Sequence, residues 1–208
     1  MKIYITRHSL TTWNEEKRLQ GWKNSDLTKQ GLEDAKRLGN YLKNQSFDGI
    51  YSSPLKRAKE TAQLIFPNKT IIEDDRLKEM NFGDYEGKFI DELKKEKDYY
   101  TLWNEPKGDF SIKNGETYQE VVDRVLDFIE EKYKENKKCI FITIHGMLFT
   151  ILNGLFLNLP IEHFNEVNQN IVRGCSLSLF EYNGKEFKID YIGKDDFLEP
   201  RKTKISYK

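Results

Sequence analysis

The chain has 208 residues, and its 34 basic side chains are balanced by 34 acidic ones, so the formal net charge is zero. This balance gives no general attraction to nucleic acid or to an anionic membrane surface, and two isolated cysteines are too few for a disulfide framework or a zinc site. We therefore predict a single domain over 1–208, with an aromatic-rich core and any basic site confined to one pocket.

Strands and helices alternate in the first part of the chain. The predicted elements are a strand at 2–7, a helix over about 29–43, a strand at 48–52, a helix between Pro54 and Pro67, and a strand at 70–73. Thr28 is typical of a helix cap, and proline at position 54 fits a first helical turn. Alternation of this kind favours βα units and a parallel sheet.

The second part of the chain continues this pattern after an irregular segment. We expect that segment, about residues 80–115, to be an inserted cover over the sheet, with a helix near 88–103. The later elements are a helix over 118–129, a strand at 139–144, an apolar helix over about 147–157, a short helix from Pro160, a hairpin of 176–182 and 187–192, and a tail at 201–208. The pattern predicts an α/β three-layer sandwich whose mostly parallel central sheet is flanked by helices.

Two of the three histidines directly follow predicted strands, at His8 and His145. Open α/β sheets build their sites where strands end, so this coincidence indicates a shared site. A neutral imidazole is a competent nucleophile toward phosphorus, and His8 is the candidate. A phosphoryl group also needs cations with a forked geometry, and Arg7 and Arg57 suit that role. The pattern points to phosphoryl chemistry.

Two further expectations follow from this chemistry. Arg7 and Arg57 should disfavour protonation of His8 through like-charge repulsion, which leaves His8 nucleophilic near neutral pH. An alkoxide leaving group must receive a proton, and Glu79 is the carboxylic acid best placed in the sequence to supply it.

The motifs together resemble the histidine phosphatase superfamily, also called the phosphoglycerate mutase-like family. Several separated motifs in the same order carry the resemblance. They are Arg7-His8 with Thr11 and Asn14, Gln20-Gly21-Trp22, Asp26-Leu27-Thr28 with Gly31, Tyr51 to Leu55 with Arg57-Ala58 and Thr61, Glu79, Phe82-Gly83, Glu86-Gly87, Gly115-Glu116 and His145-Gly146.

The resemblance implies a role for each matching position. His8 would take the phosphoryl group and Glu79 would be the proton donor. The phosphoryl oxygens would be held by Arg7, Asn14, Arg57 and His145, and the substrate rim would include Ser9, Gln20 and Gly21. The reaction would need no metal and no organic cofactor, because the arginines and histidines supply the positive charge that Mg²⁺ supplies in kinases.

Two residues depart from the family pattern. The family usually has Gly and then Glu or Gln after the catalytic histidine, and this chain has Ser9 and Leu10. A serine hydroxyl adds a hydrogen-bonding group where glycine allows close backbone approach, and leucine removes a polar group from the rim. We expect a changed substrate preference and retained activity.

Three functions compete for this site. A phosphoglycerate mutase of this family carries an arginine-bearing segment after the glutamate, whereas no arginine lies between Arg76 and Arg124 here. Gln20-Gly21-Trp22 also looks more like the phosphatase subgroup, so we favour phosphomonoester hydrolysis. The alternatives are a cofactor-dependent phosphoglycerate mutase and a non-catalytic module that binds phosphorylated ligands. In the second alternative, Ser9 and Leu10 have abolished the catalytic activity of the site.

The expected partner is a small phosphorylated metabolite, with neither nucleic acid nor a membrane involved. Candidates are phosphosugars, phosphoglycerates and the nucleoside phosphate handled by α-ribazole phosphatases, which resemble this chain in length and motif order. Since the first strand begins at residue 2 and no apolar run approaches a membrane span, we expect no signal peptide and a cytoplasmic location. The sequence indicates no oligomeric state.

Overall fold

The sheet at the centre of the molecule is mixed but mostly parallel. The computed structural model describes residues 1–167 and 172–200, and their strands are β1 (Lys2–Arg7), β2 (Gly49–Ser52), β3 (Ile72–Glu73), β4 (Cys139–Ile144), β5 (Leu177–Tyr182) and β6 (Phe187–Lys194). Their order across the sheet is β3-β2-β4-β1-β5-β6. The first four strands of that order are mutually parallel, and β5 is antiparallel to both β1 and β6.

Helices cover both faces of this sheet. They are α1 (Thr12–Glu15), α2 (Lys29–Tyr41), α3 (Lys56–Ile65), α4 (Ile90–Leu93), α5 (Lys97–Asn104), α6 (Tyr118–Lys134) and α7 (Gly146–Phe156), with short 3₁₀ turns at Asp75–Leu77, Gly83–Tyr85 and Ile161–Glu166. Among the described residues, every helix is too short or too polar to cross a lipid bilayer.

The alternation of side chains along the strands divides the core into two parts. In β4, Ile140, Ile142 and Ile144 join one hydrophobic cluster, whereas Phe141 points to the opposite face and joins the other. Successive strand residues face opposite sides of a sheet, so each apolar strand is buried from both sides. The cluster on the Phe141 face packs against α2 and α3, and the larger cluster includes side chains of α5, α6 and α7. The predicted three-layer α/β sandwich is confirmed.

The structure differs from the sequence prediction mainly at element boundaries. The helix expected near 88–103 is two helices, α4 and α5, separated by Lys94, Lys95 and Glu96. The strand expected at 70–73 pairs only at its last two residues. Helix α1 was not predicted, because four residues are too few to show a helical period. The expected tail at 201–208 lies outside the described residues.

The segment 80–115 packs on the same core as α6 and α7. Its buried side chains Ile90 and Leu93 come from α4, and Tyr99, Leu102 and Trp103 come from α5. The lysines of this segment, at positions 88, 94, 95, 97, 107 and 113, are all exposed. The segment is therefore amphipathic, with its apolar side on the core and its charged side in water.

Candidate active site

A cleft at the carboxyl ends of β1 and β4 contains most of the predicted site residues. Counting the space open to solvent, it measures about 450 Å³. Its lining includes seven of them, which are Arg7, His8, Asn14, Gln20, Gly21, Arg57 and Glu79. His145 lies against this cleft, with its ring centroid 5.2 Å from that of His8. Neither His145 nor Ser9 is among the lining residues.

Strand pairing brings the two histidines together. Arg7 at the end of β1 lies opposite Ile144 at the end of β4 in parallel register, and the backbone N–H of His8 donates to the carbonyl of Ile144 over 2.8 Å. The following residue on each strand is a histidine, so both imidazoles leave the sheet at the same edge. This is the position at which open α/β sheets hold their ligands.

The ring of His8 is oriented by its own loop. Its Nδ1 lies 2.7 Å from the backbone carbonyl of Ser9, and because a carbonyl only accepts, Nδ1 carries the hydrogen in this contact. The lone pair of Nε2 therefore stays available. Burial, together with the positive charges of Arg57 and Arg7, holds the pKa of His8 well below its ordinary value of 6.5. His8 is a neutral imidazole at physiological pH.

His145 is fixed by Ser53, a residue to which sequence reasoning gave no role. The Oγ of Ser53 lies 2.7 Å from His145 Nε2 and accepts from the backbone N–H of Leu55 over 3.3 Å. Donation of the hydroxyl hydrogen to Nε2 satisfies both groups and places the imidazole hydrogen on Nδ1. That Nδ1 is buried and has no hydrogen-bond partner among the described residues. Burial and the charge of Arg57 hold the pKa of His145 well below 6.5.

Arg57 is held by a loop and not by a carboxylate. Its Nη2 donates to the carbonyl of Gly21 over 2.7 Å, and its Nη1 donates to the carbonyl of Lys23 over 2.8 Å and to Asn24 Oδ1 over 3.1 Å. Only 1% of Arg57 is exposed. Burial lowers its pKa to about 10, so the guanidinium stays charged at neutral pH. Within residues 1–167 and 172–200 no carboxylate pairs directly with this guanidinium, so its charge is fixed in place without direct neutralisation.

Glu86 in turn holds that loop, and its role was missed from the sequence. Its Oε1 accepts from the backbone N–H groups of Trp22 over 2.8 Å and Phe82 over 3.1 Å, and its Oε2 accepts from that of Lys23 over 2.9 Å. Gly21 makes this contact possible, because its φ is +56° and a Cβ there would lie 1.9 Å from Glu86 Oε1. The Glu86 carboxylate therefore positions Arg57 indirectly, because it fixes the loop whose carbonyl oxygens bind the guanidinium.

Glu79 reaches the cleft with its carboxylate against the first turn of α7. Oε1 accepts from the backbone N–H groups of Met80 over 3.0 Å and Leu148 over 2.9 Å, and Oε2 accepts from that of Met147 over 3.1 Å. Free N–H groups and the helix dipole favour negative charge at such an end. Arg124 holds the backbone carbonyl of Glu79 over 3.1 Å.

Ser9 is placed differently from the expectation. Its Oγ donates to the carbonyl of Gly31 over 2.7 Å and its backbone N–H donates to Thr61 Oγ1 over 3.0 Å. Only 1% of Ser9 is exposed. The hydroxyl points away from the cleft toward the first turn of α2, so Ser9 is a buried tether and not a rim residue.

Asn14 and Gln20 line the cleft and also bind Thr11. Asn14 Oδ1 accepts from the Thr11 N–H over 3.2 Å and forms the capping box of α1. Gln20 Nε2 donates to Thr11 Oγ1 over 2.8 Å. Since the Oδ1 of Asn14 is engaged, contact with an anion in the cleft would use its Nδ2 group.

Comparison with known proteins assigns a family to this arrangement. The sequence model of the histidine phosphatase superfamily (branch 1) matches residues 3–195. The chain belongs to this superfamily. A relative from Shigella boydii, named "Probable phosphoglycerate mutase GpmB", is 32% identical over 88% of this chain and 85% of its own length.

Two solved structures show the same fold. Bacillus stearothermophilus YhfR is 31% identical, with a TM-score of 0.86 over 95% of this chain and 99% of that chain. The α-ribazole phosphatase from Shigella flexneri is 26% identical, with a TM-score of 0.79 over 93% of this chain and 96% of that chain. The similarity to these two structures extends over nearly the whole chain.

The Gly21→Ala variant tests how the loop holds Arg57. A Cβ at position 21 would strain a φ of +56° and displace the Glu86 carboxylate, so Arg57 should lose its fixed position. We expect inhibition by orthovanadate to weaken by roughly tenfold or more. Gly193→Ala is the control, because its φ of +68° imposes similar strain while the described neighbour of its Cβ is Val172, at an ordinary contact distance of 3.6 Å. Equal vanadate affinity in both variants would contradict this role of the loop.

The lowered pKa values of His8 and His145 predict how stability changes with pH. Below about pH 6.5 the unfolded chain protonates these side chains and the folded chain does not, so the free energy of unfolding falls as pH falls. Each histidine contributes up to about 1.4 kcal/mol per pH unit. Urea unfolding between pH 6.5 and 5 should therefore show a shallower pH dependence for His145→Asn than for the native protein. Parallel curves would contradict the neutral state of His145.

Proposed function

We propose that this member of the histidine phosphatase superfamily is a phosphomonoester hydrolase that acts through a phosphohistidine intermediate on His8. The observation that carries the proposal is the state of His8: its Nδ1 hydrogen is used by the Ser9 carbonyl, and burial, together with the charges of Arg57 and Arg7, keeps the ring neutral. An imidazole in this state has a lone pair on Nε2 for attack on phosphorus. Its substrate would be a small phosphorylated metabolite in the cytoplasm.

The first step transfers the phosphoryl group to the enzyme. Nε2 of His8 forms a bond to phosphorus while the bond from phosphorus to the ester oxygen breaks, and the electron pair stays on that oxygen. The leaving oxygen takes a proton from Glu79, which lines the same cleft. The spreading negative charge on the phosphoryl oxygens would be bound by Arg7, Arg57, His145 Nδ1 and Asn14 Nδ2.

The second step returns the enzyme to its starting state. Water attacks phosphorus, the bond between phosphorus and Nε2 breaks, and a water proton passes to Glu79. The contacts of Glu79 with the N–H groups of Met80, Met147 and Leu148 hold its side chain in place in the cleft for this transfer. Glu79 thus serves as acid in one step and as base in the next.

The same cluster would make a metal unnecessary. Arg57 is nearly fully buried, and among the described residues its hydrogen bonds go to two backbone carbonyls and an amide oxygen and not to a carboxylate, so its positive charge stays available to an incoming anion. Arginine forks match phosphoryl oxygens with defined geometry. We propose that these cations supply the charge stabilisation of the reaction, with no organic cofactor.

The charge distribution supports hydrolysis over the mutase reaction. A mutase must hold a carboxylate and a second phosphate while its intermediate is reoriented, and this needs extra cations near the site. The six lysines of the 80–115 segment are exposed and none of them lines the cleft. We also propose that this segment, part of a single domain over the whole chain, serves as a cover that shapes the substrate site.

Trapping the intermediate tests the proposal directly. Brief mixing with p-nitrophenyl phosphate labelled at phosphorus, followed by denaturation in alkali, should leave label on His8, because phosphohistidine survives base and is labile in acid. His8→Ala should give no label and no phosphate release. His163→Ala is the matched control, since that side chain is largely exposed, and it should behave as the native enzyme.

The outcomes separate the three candidate functions. Label on His8 with release of inorganic phosphate supports a hydrolase. Rapid conversion of 3-phosphoglycerate into 2-phosphoglycerate with little phosphate release, in the presence of the 2,3-bisphosphate, would identify a mutase. Binding of phosphate esters with neither label nor product would identify a binding module.

The role of Glu79 predicts a dependence on the leaving group. Glu79→Gln should slow hydrolysis of alkyl phosphates by roughly 10²-fold or more and that of p-nitrophenyl phosphate far less, because p-nitrophenolate leaves without a proton. Glu92→Gln, an exposed carboxylate of α4, is the control. Single-turnover rates of phosphoenzyme formation provide the measurement, and equal losses on both substrates would contradict the proton-donor role.

A further inference from the structure

The walls of the cleft beyond the phosphate end point to a substrate class. We propose that the site selects phosphate esters of apolar, uncharged alcohols, and discriminates against esters whose alcohol part carries a carboxylate. The inference rests on the proposed function, because it concerns the leaving group of the same reaction. Three observations carry it. The walls of the cleft are apolar, their side chains belong to the main hydrophobic core, and the cation at the edge of the cleft already has partners.

The walls are apolar and partly aromatic. In addition to the polar residues of the phosphate end, the cleft is lined by Leu19, Phe82, Ile90, Tyr99, Trp103 and Met147. The ring of Trp103 lies 6.3 Å from that of Phe82 in a stacked arrangement and 6.0 Å from that of Tyr99. Apolar pockets of this kind derive binding energy from the removal of apolar ligand surface from water.

These walls are a face of the main hydrophobic core. All six side chains belong to the same buried cluster as α6 and α7, and each is less than a tenth exposed. A close-packed core resists rearrangement. The cleft therefore offers a preformed apolar surface, and a charged or strongly hydrated group placed against it would lose its water without replacement hydrogen bonds.

The edge of the cleft lacks an uncommitted cation. Apart from Arg7 and Arg57, the cation among the described lining residues is Arg18. Its Nε is 2.6 Å from Glu16 Oε2, its Nη1 donates to the carbonyl of Gly87 over 3.0 Å, and its guanidinium lies 3.9 Å from the centroid of the Phe89 ring. An ion pair and a ring contact already satisfy this side chain.

Glu79 does not supply the missing cation. Its side chain lines the same cleft, and as the proposed proton donor it is a neutral carboxylic acid in the first step, so it cannot neutralise a carboxylate on the alcohol part of the substrate. An apolar alcohol part needs no such partner and would lie against the apolar side chains that line the cleft.

A pair of matched substrates tests the proposal. Ethyl phosphate and 2-phenylethyl phosphate are esters of primary alcohols with similar leaving groups, so their difference reports contact with the walls. We expect kcat/KM for 2-phenylethyl phosphate to exceed that for ethyl phosphate by at least about tenfold. It should also exceed the values for 3-phosphoglycerate and O-phosphoserine by a larger factor.

Three variants locate the preference. Trp103→Ala should reduce the ratio between the two alkyl esters to within about threefold, while inhibition by inorganic phosphate stays unchanged because the phosphate end is intact. Tyr100→Ala is the matched control from the same helix, since that ring is 54% exposed and does not line the cleft. Trp103→Phe keeps an aromatic side chain in the core, and should retain most of the preference if the ring itself provides it.

The results distinguish a failure of the inference from a failure of the proposed function. Equal kcat/KM for the two alkyl esters, or a preference for 3-phosphoglycerate or O-phosphoserine that Arg18→Gln abolishes, would overturn the substrate class and leave the hydrolase intact. No phosphate release from any ester, with no label on His8, would overturn both.

Discussion

Two arginines and two histidines are buried at one edge of the sheet, and the best-buried of these cations, Arg57, is bound by carbonyl oxygens of the loop 21–24 and the side chain of Asn24. Burying a charge without direct neutralisation is costly. The fold therefore keeps an excess of positive charge at this edge, which a bound anion would neutralise. Burial, together with the charge of Arg57, also keeps both histidines neutral. The proposed binding of a phosphoryl group and the proposed nucleophilicity of His8 therefore depend on the same buried cluster.

The sequence was sufficient to predict the parts of the site that depend on strand ends. His8 and His145 each follow an apolar run, and parallel strands bring their carboxyl ends to the same edge whatever the detailed packing. Arg57 lies in an element marked by Pro54, and the three-layer arrangement follows from the alternation of strands and helices. For these features, local pattern and global fold agree.

Other parts of the site could not be read from the sequence because they depend on contacts between distant segments. Glu79 and Glu86 both belong to motifs found in the sequence, and the sequence does not show which of them faces the cleft. In the fold, Glu86 binds the backbone of residues 22 and 23, whereas Glu79 lines the cleft. Ser53 becomes relevant only when β2 lies beside β4. Ser9 was expected at the rim, and it turns inward because the carbonyl of Gly31 lies within reach of its hydroxyl.

The first turn of α7 positions two side chains, His145 and Glu79, to which the proposed mechanism gives different roles. His145 is the residue that precedes this helix, and the N–H groups of Met147 and Leu148 hold the Glu79 carboxylate. Fraying of that single turn would displace both His145, the proposed ligand of a phosphoryl oxygen, and Glu79, the proposed proton carrier. Both side chains therefore depend on the order of the same few backbone residues, so a local opening of this one helix end would affect both while the sheet stays folded.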